Sequence, residues 1–130
     1  MIKVGDHFPD VTFTVMTSDG PKPKTSAEVF KGKKVVLFGL PGAFTPTCHR
    51  NHLPGYRDNY DALKAKGVDT IAVTAVNDAF VMGAWRDATS CGDKIEFLAD
   101  GSAAFTKAAG LTLDLTERGL GVRMRRFSML

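Results

Sequence analysis

Three short apolar segments, separated by segments of helical periodicity, constrain the fold of this chain more than any other feature. Residues 35–40 (VVLFGL) are apolar at every position, and residues 70–76 (TIAVTAV) and 95–98 (IEFL) are mostly apolar. A strand that is apolar on both faces is typical of a parallel sheet covered by helices. The sequence therefore predicts an α/β fold with a doubly wound sheet and right-handed crossovers.

The segments between these strands supply the other predicted elements. Residues 1–19 are expected to form an N-terminal hairpin or edge strands, because they alternate weakly and end at the turn signal Asp19-Gly20-Pro21. Helical patterns cover residues 25–30, about 46–66 with a kink at Pro54-Gly55, 77–89 and 102–109. Residues 111–121 are expected to form a loop, and residues 122–130 a last strand.

Length and composition indicate one globular domain, residues 1–130, with 44% hydrophobic and 24% charged residues. No apolar run has membrane-spanning length, and the first residues contain no signal-peptide core, so we expect a cytoplasmic protein without a membrane partner. The net charge is +3. The one basic cluster, Arg118, Arg123, Arg125 and Arg126, lacks the aromatic interleaving of a nucleic-acid surface, and a solvated strand with one functional arginine is the better interpretation.

Cys48 stands where a strand gives way to a helix. Thr45 suits the N-cap and Pro46 the first helical position, so Cys48 falls in the first turn. Unpaired backbone N–H groups and the positive end of the helix dipole favour a thiolate there. The sequence therefore predicts a reactive cysteine in a reducing compartment.

The residues around Cys48 resemble those of a known enzyme family. Pro41, Thr45 and Cys48 match the motif P-x-x-x-[TS]-x-x-C of peroxiredoxins, and the fuller form PGAFTPTC followed by HLPG resembles the peroxiredoxin-5 and plant type II subfamily. The stretches VGD, KGKKVVLFG, VNDAFVMGAW and RRFSM agree with it. The resemblance covers nearly the whole chain.

The resemblance implies a thioredoxin-like fold with a central mixed sheet flanked by helices. Relatives normally continue past the RRFSM stretch with another strand and a C-terminal helix. This chain is expected to lack both, which would leave a bare sheet edge. It also implies a thiol peroxidase without cofactor or metal, reducing hydrogen peroxide and alkyl hydroperoxides with glutathione, glutaredoxin or thioredoxin as reductant, and a homodimer. The implied catalytic residues are Cys48, Thr45, Pro41 and Arg126, and the implied substrate-binding residues are Gly42, Phe44 and Thr47.

Arg126 is also indicated by strand alternation. In one strand over residues 122–130, Arg126 would share a mostly apolar face with Met124 and Ser128, where a charge needs a partner such as a thiolate. Arg123 and Arg125 would then lie on the opposite, solvent-facing side.

Two other arrangements of the thiols are less favoured. His49 and His52 lie close to Cys48, but this ligand set makes a poor zinc site. Cys91 precedes the strand at 95–98, whereas Cys48 follows the strand at 35–40, so parallel strands would separate them by ~17–20 Å. A disulfide needs Cα atoms within ~7 Å, and a one-cysteine mechanism is therefore expected.

Two alternative functions use the same cysteine. In a redox-sensing or binding module, Cys48 would oxidise as a signal with little turnover. A disulfide oxidoreductase normally requires C-x-x-C, whereas the residue three before Cys48 is Thr45.

Overall fold

A six-stranded mixed sheet with helices on both faces forms the framework of the molecule. The computed structural model describes residues 1–46 and 53–130. The strands are β1 (Thr12–Thr17), β2 (Gly20–Thr25), β3 (Val35–Gly39), β4 (Thr70–Ala75), β5 (Glu96–Ala99), β6 (Thr112–Leu115), β7 (Gly121–Met124) and β8 (Phe127–Met129). The helices are α1 (Ser26–Phe30), α2 (Leu53–Asp58), α3 (Tyr60–Ala65), α4 (Ala79–Ala88) and α5 (Ala104–Ala108).

The strand order of the main sheet is β2-β1-β5-β4-β3-β8. Strands β3, β4 and β5 are parallel neighbours, with Val36 opposite Ile71 and Val73 opposite Phe97. Strands β1 and β8 join this parallel centre in antiparallel orientation. The α/β sheet expected from the three apolar segments is thus confirmed, although β5 starts and ends one residue later than predicted.

Alternating side chains of the central strands build a separate core on each face of the sheet. On β4, Ile71 and Val73 belong to a buried cluster that includes Trp85 of α4, whereas Ala72 belongs to a second cluster with Phe105 of α5. The first cluster also receives Leu53 of α2. Helices therefore cover both faces, which explains why the central strands are apolar at successive positions.

The segment after α5 differs from the prediction. Instead of a loop, residues 111–121 contain β6 and a 3₁₀ turn at Thr116–Arg118. The single strand expected over residues 122–130 is two strands, because β7 pairs with β6 in a separate two-stranded sheet and β8 pairs with β3. The strand interruption falls at Arg125 and Arg126.

The helical segment expected through residue 66 is divided at Asn59. Pro54 and Gly55 lie within α2, and the interruption occurs beyond the kink that was predicted there. The Asn59 side chain donates its Nδ2–H to Gly55 O at 2.7 Å. The Asn59 N–H donates to the same oxygen at 3.2 Å, and the backbone of Asn59 departs from helical geometry with φ −99° and ψ 15°.

Side chains from β7 and β8 lie against the backbone of β3 at Gly39. A Cβ atom at this position would lie 2.0 Å from Phe127 Cε1 and 2.6 Å from Met124 Sδ. Phe127 lies directly opposite Gly39 in the antiparallel register. The absence of a side chain at residue 39 therefore allows the Phe127 ring to pack against the backbone of β3.

Replacing Thr74 of β4 with valine is expected to stabilise the protein. Its side chain is fully buried, and among the described residues its Oγ1 is the buried side-chain polar atom that has no hydrogen-bond partner. Because the isosteric valine removes an unsatisfied hydroxyl, Thr74→Val should raise the free energy of unfolding by about 1 kcal/mol in urea titrations. Thr106→Val is the matched control: Thr106 is equally buried but bonds Asp100, so its loss should destabilise. Equal destabilisation of both variants would contradict the prediction.

Candidate active site

The candidate site lies at the carboxyl edge of the parallel strands. The loop after β3, residues 40–45, and the loop after β4, residues 76–78, both leave the sheet at this edge. Because β8 is antiparallel to β3 and Phe127 lies opposite Gly39, Arg126 is also beside the carboxyl end of β3. This is the edge at which open α/β sheets commonly bind ligands.

Hydrogen bonds hold the loop after β3 in a tight turn. The Thr45 hydroxyl donates to Gly42 O at 2.7 Å, and the Thr45 N–H donates to the same oxygen at 3.4 Å. Ala43 N–H donates to Asn77 Oδ1 of the neighbouring loop at 2.9 Å. Gly42 is buried, whereas Phe44 is exposed and has a positive φ of 64°. The loop is therefore fixed at its base and presents Phe44 outward.

Several predicted residues lie outside the described part of the chain. Thr47, Cys48, His49 and His52 belong to residues 47–52. The role of Thr45 as an N-cap would require acceptance from backbone N–H groups in that segment. Within residues 1–46 and 53–130, no three His, Cys, Asp or Glu side chains are grouped to hold a metal ion, and no helix has the length and apolarity to cross a membrane.

The prediction that Arg126 shares one strand face with Met124 and Ser128 is wrong. Because the strand is interrupted, Met124, Phe127 and Met129 pack into the same core cluster, and Ser128 lies on the opposite side. Ser128 Oγ is hydrogen-bonded to Tyr56 Oη of α2. Arg126 is exposed and immediately precedes β8. The start of β8 beside Gly39 therefore places the backbone of Arg126 at the edge of the site.

Arg123 was predicted to face solvent, and this is also wrong. Its side chain is half-buried, and it donates Nε–H to Leu120 O at 2.9 Å and Nη1–H to Val76 O at 3.2 Å. The reason is again the strand interruption at Arg125 and Arg126. Because β7 pairs with β6 in the small sheet, Arg123 lies close enough to the end of β4 to bond Val76 O. Arg125 is exposed, as predicted.

Sequence reasoning missed the contributions of Asn77 and Tyr56. Asn77 is the second residue after β4, and a polar residue at that carboxyl edge could have been recognised as a partner for the neighbouring loop. Tyr56 stacks on Phe38 with ring centroids 4.0 Å apart and bonds Ser128. Nothing local in the sequence indicates that pairing, because Ser128 is far from Tyr56 along the chain.

Cys91 is a buried thiol in the core cluster that contains Trp85. Its Sγ lies 3.3 Å from Thr89 Oγ1. Burial raises the pKa of the Cys91 thiol, and the hydrogen bond with Thr89 opposes this only in part. The neutral thiol is therefore favoured in the folded state, a contribution to stability that is complete at low pH and is lost as the pH rises through the folded-state pKa.

Comparison with known proteins identifies relatives along almost the entire chain. A model of the Redoxin family matches residues 3–130. Peroxiredoxin-2C of Oryza sativa subsp. japonica is 48% identical over 130 residues, which cover 99% of this chain and 80% of the relative. Peroxiredoxin-2B of Arabidopsis thaliana is 47% identical with the same coverage.

Solved structures agree with these relatives. The crystal structure of reduced Prx3 in complex with hydrogen peroxide from Vibrio vulnificus has a TM-score of 0.94 and 51% sequence identity, covering 99% of this chain and 80% of that chain. The expected thioredoxin-like peroxiredoxin fold is thereby confirmed. Because both the sequence and the fold match over nearly all of its residues, the chain belongs to the peroxiredoxin family, close to the plant type II members, and is a thiol-dependent peroxidase.

Proposed function

We propose that Cys48 is the peroxidatic nucleophile for hydrogen peroxide and alkyl hydroperoxides. Its thiolate attacks the terminal oxygen of the hydroperoxide and the O–O bond breaks. The terminal oxygen and its proton stay on sulfur as sulfenic acid, and the departing hydroxide or alkoxide takes up a proton from solvent and leaves as water or an alcohol. One thiol then forms a mixed disulfide with release of water, and a second thiol restores Cys48. The observation that carries this proposal is the hydrogen-bonded Thr45 turn three residues before Cys48.

Thr45 acts as a hydrogen-bond acceptor toward the hydroperoxide in this proposal. Because its hydroxyl hydrogen is donated to Gly42 O, the oxygen lone pairs are available to accept. A hydroperoxide carries one proton on its terminal oxygen, and Thr45 Oγ1 would accept that proton in a hydrogen bond. In this proposal Thr45 Oγ1 therefore accepts a hydrogen bond from the hydroperoxide and does not donate one.

Arg126 and the loop residues complete the proposed site. The Arg126 guanidinium would stabilise the thiolate and the negative charge that develops on the departing oxygen. Pro41 would shield the thiolate from water, and backbone N–H groups near Gly42 and Thr47 would support the developing charge. Phe44, exposed at the tip of the turn, would contribute an apolar wall for alkyl hydroperoxides.

We propose that an external thiol, from glutathione with glutaredoxin or from thioredoxin, reduces the sulfenic acid. Strands β3, β4 and β5 are parallel, so Cys91 lies before the amino end of β5 while Cys48 follows the carboxyl end of β3. Cys91 is also buried, with a raised thiol pKa. Both features oppose a Cys48–Cys91 disulfide within the chain.

The test is steady-state consumption of hydrogen peroxide and an alkyl hydroperoxide by the wild type and Cys91→Ser. Both proteins should complete many turnovers at rates that agree within about twofold, since residue 91 lies before the amino end of β5, away from the site edge, and a serine hydroxyl can keep the hydrogen bond with Thr89. Glutathione plus glutaredoxin and the thioredoxin system are supplied separately, and the productive system identifies the reductant.

Other outcomes of this experiment lead to different conclusions. Loss of turnover in Cys91→Ser alone would show that Cys91 resolves Cys48. Oxidation of one equivalent followed by no further turnover with either reductant would support a redox-sensing module instead of a peroxidase.

A homodimer formed at the site edge and a cytoplasmic location also belong to this proposal. Four exposed apolar side chains lie on the loops and elements at that edge: Phe44, Phe80, Leu120 and Val122. Their burial against a second copy would remove apolar surface from water. Light scattering tests the dimer, and a monomer mass at micromolar concentration would refute it.

Relatives include chloroplastic proteins, so fractionation of cells with an antibody tests the compartment.

A further inference from the structure

Arg123 connects three segments of the candidate site. Its Nε–H donates to Leu120 O in the β6–β7 turn at 2.9 Å, and its Nη1–H donates to Val76 O at the end of β4 at 3.2 Å. The same Nη1 lies 3.2 Å from the position that a Cβ atom on Gly42 would occupy. The guanidinium is therefore placed between the β7 hairpin, the end of β4 and the turn that carries Thr45.

The residues beside these contacts hold the same turn. Asn77, next to Val76, accepts the Ala43 N–H at 2.9 Å. Gly42 provides the carbonyl oxygen to which the Thr45 hydroxyl and N–H donate. Movement of the Val76 end of β4 or of Gly42 would consequently reorient the Thr45 hydroxyl.

From this geometry we propose that Arg123 is a positioning residue for the peroxidase reaction. It rests on the proposed function, because it acts by fixing the turn from which Thr45 contacts the hydroperoxide. The proposal is distinct from the role of Arg126, which acts on the reacting atoms themselves.

The contacts require the particular shape of arginine. A planar guanidinium donates in two directions at once, to Leu120 O and to Val76 O, whereas a lysine ammonium is a compact donor on a flexible stem. A Cβ atom at residue 42 would also lie 3.2 Å from Nη1, so a side chain there would displace the guanidinium by a few tenths of an ångström. A lysine should therefore restore only part of the function.

The experiment compares Arg123→Met with Arg125→Met. Arg125 is a matched control, because it lies on the same hairpin, is exposed, and donates its Nε–H to Thr112 O at 3.0 Å. For each variant, kcat/KM for hydrogen peroxide is measured beside the rate at which iodoacetamide alkylates Cys48, followed by peptide mass spectrometry. Alkylation needs the thiolate but makes no use of a hydrogen bond from the peroxide to Thr45.

Arg123→Met should lower kcat/KM for peroxide by roughly 10- to 100-fold, the range expected when a reacting group is misplaced by about 1 Å. Alkylation of Cys48 should change by no more than about threefold. Arg123→Lys should recover part of the lost rate, and Arg125→Met should match the wild type in both assays.

Hydrogen exchange provides a readout that does not depend on peroxidase activity. The amide hydrogens of Ala43 and Thr45, both bonded in the turn, should exchange faster in Arg123→Met and remain unchanged in Arg125→Met. Unchanged exchange in Arg123→Met would overturn the proposal.

Two kinetic results would also overturn it. One is wild-type kcat/KM in Arg123→Met, and the other is an equal fall of peroxide and alkylation rates, which would indicate a general structural role. A wild type that turns over no peroxide would refute the proposed function, and hydrogen exchange would then still decide whether Arg123 positions the turn.

Discussion

Replacing Cys48 with serine is expected to reduce peroxide turnover by on the order of 10³-fold or more, as is found when a covalent nucleophile is removed. The serine hydroxyl has a far higher pKa than a thiol, so almost no alkoxide forms at neutral pH. It also cannot store the transferred oxygen as a sulfenic acid. The chemical step that connects peroxide to the thiol reductant is therefore absent from this variant.

The measurement is steady-state peroxide consumption with the productive reductant, supported by mass spectrometry of the Cys48 peptide after one equivalent of peroxide. Wild type and Cys91→Ser should gain one oxygen at Cys48 when the reductant is omitted, whereas Cys48→Ser should not react. Cys91→Ser controls for the loss of a thiol as such. Substantial turnover by Cys48→Ser would place the peroxidatic centre elsewhere.

Replacing Gly39 with alanine is expected to reduce the free energy of unfolding by about 3 kcal/mol, at the upper end of the usual range for overpacking. The new methyl group would lie 2.0 Å from Phe127 Cε1, so either β8 or the Phe127 ring must move. Because Arg126 immediately precedes β8, displacement of this strand should also lower peroxidase activity. Urea unfolding and kcat/KM for hydrogen peroxide measure the two effects.

Gly55→Ala is the matched control for that substitution. Gly55 lies within α2, and a Cβ atom there would have no heavy atom within 4 Å apart from its own chain neighbours and helix backbone. Alanine is also the better helix former, so this variant should be as stable as the wild type or slightly more so. Equal stabilities of Gly39→Ala and Gly55→Ala would contradict the predicted clash.

A double variant tests the contact itself. Phe127→Leu removes part of the ring that meets the new methyl group, so the destabilisation in Gly39→Ala/Phe127→Leu should be smaller than the sum of the single effects. A coupling energy of about 1 kcal/mol or more is expected for residues in direct contact. Additive effects would show that Gly39 is required for another reason.

The central strands could be predicted because their residue types reflect burial on both faces of the sheet. Each of β3, β4 and β5 is covered on both faces, and side chains that point to two cores must be apolar at successive positions. The glycine in VVLFGL also carried information, since a glycine inside a strand often marks a close approach of another segment. Gly39 and Phe127 show that this was the case here.

The arrangement of the arginines could not be obtained in the same way. Alternation assigns faces correctly only while a strand is unbroken, and the segment from 122 onward is shared between two sheets. Arg123 makes its contacts with Val76 and near Gly42, residues distant in sequence that no local pattern connects. The motif around Cys48 located the candidate site, but the second arginine at its edge required the fold.

The pairing of β3 with β8 also bears on how the protein acquires its activity as it folds. Gly39 and Phe127 are roughly ninety residues apart along the chain, so their contact closes a long loop, which is entropically slower to form than local structure. During synthesis the cysteine segment leaves the ribosome well before Arg126. In the proposed mechanism the thiol therefore exists for a time without its activating cation, and catalytic competence should arise only when β8 docks on β3.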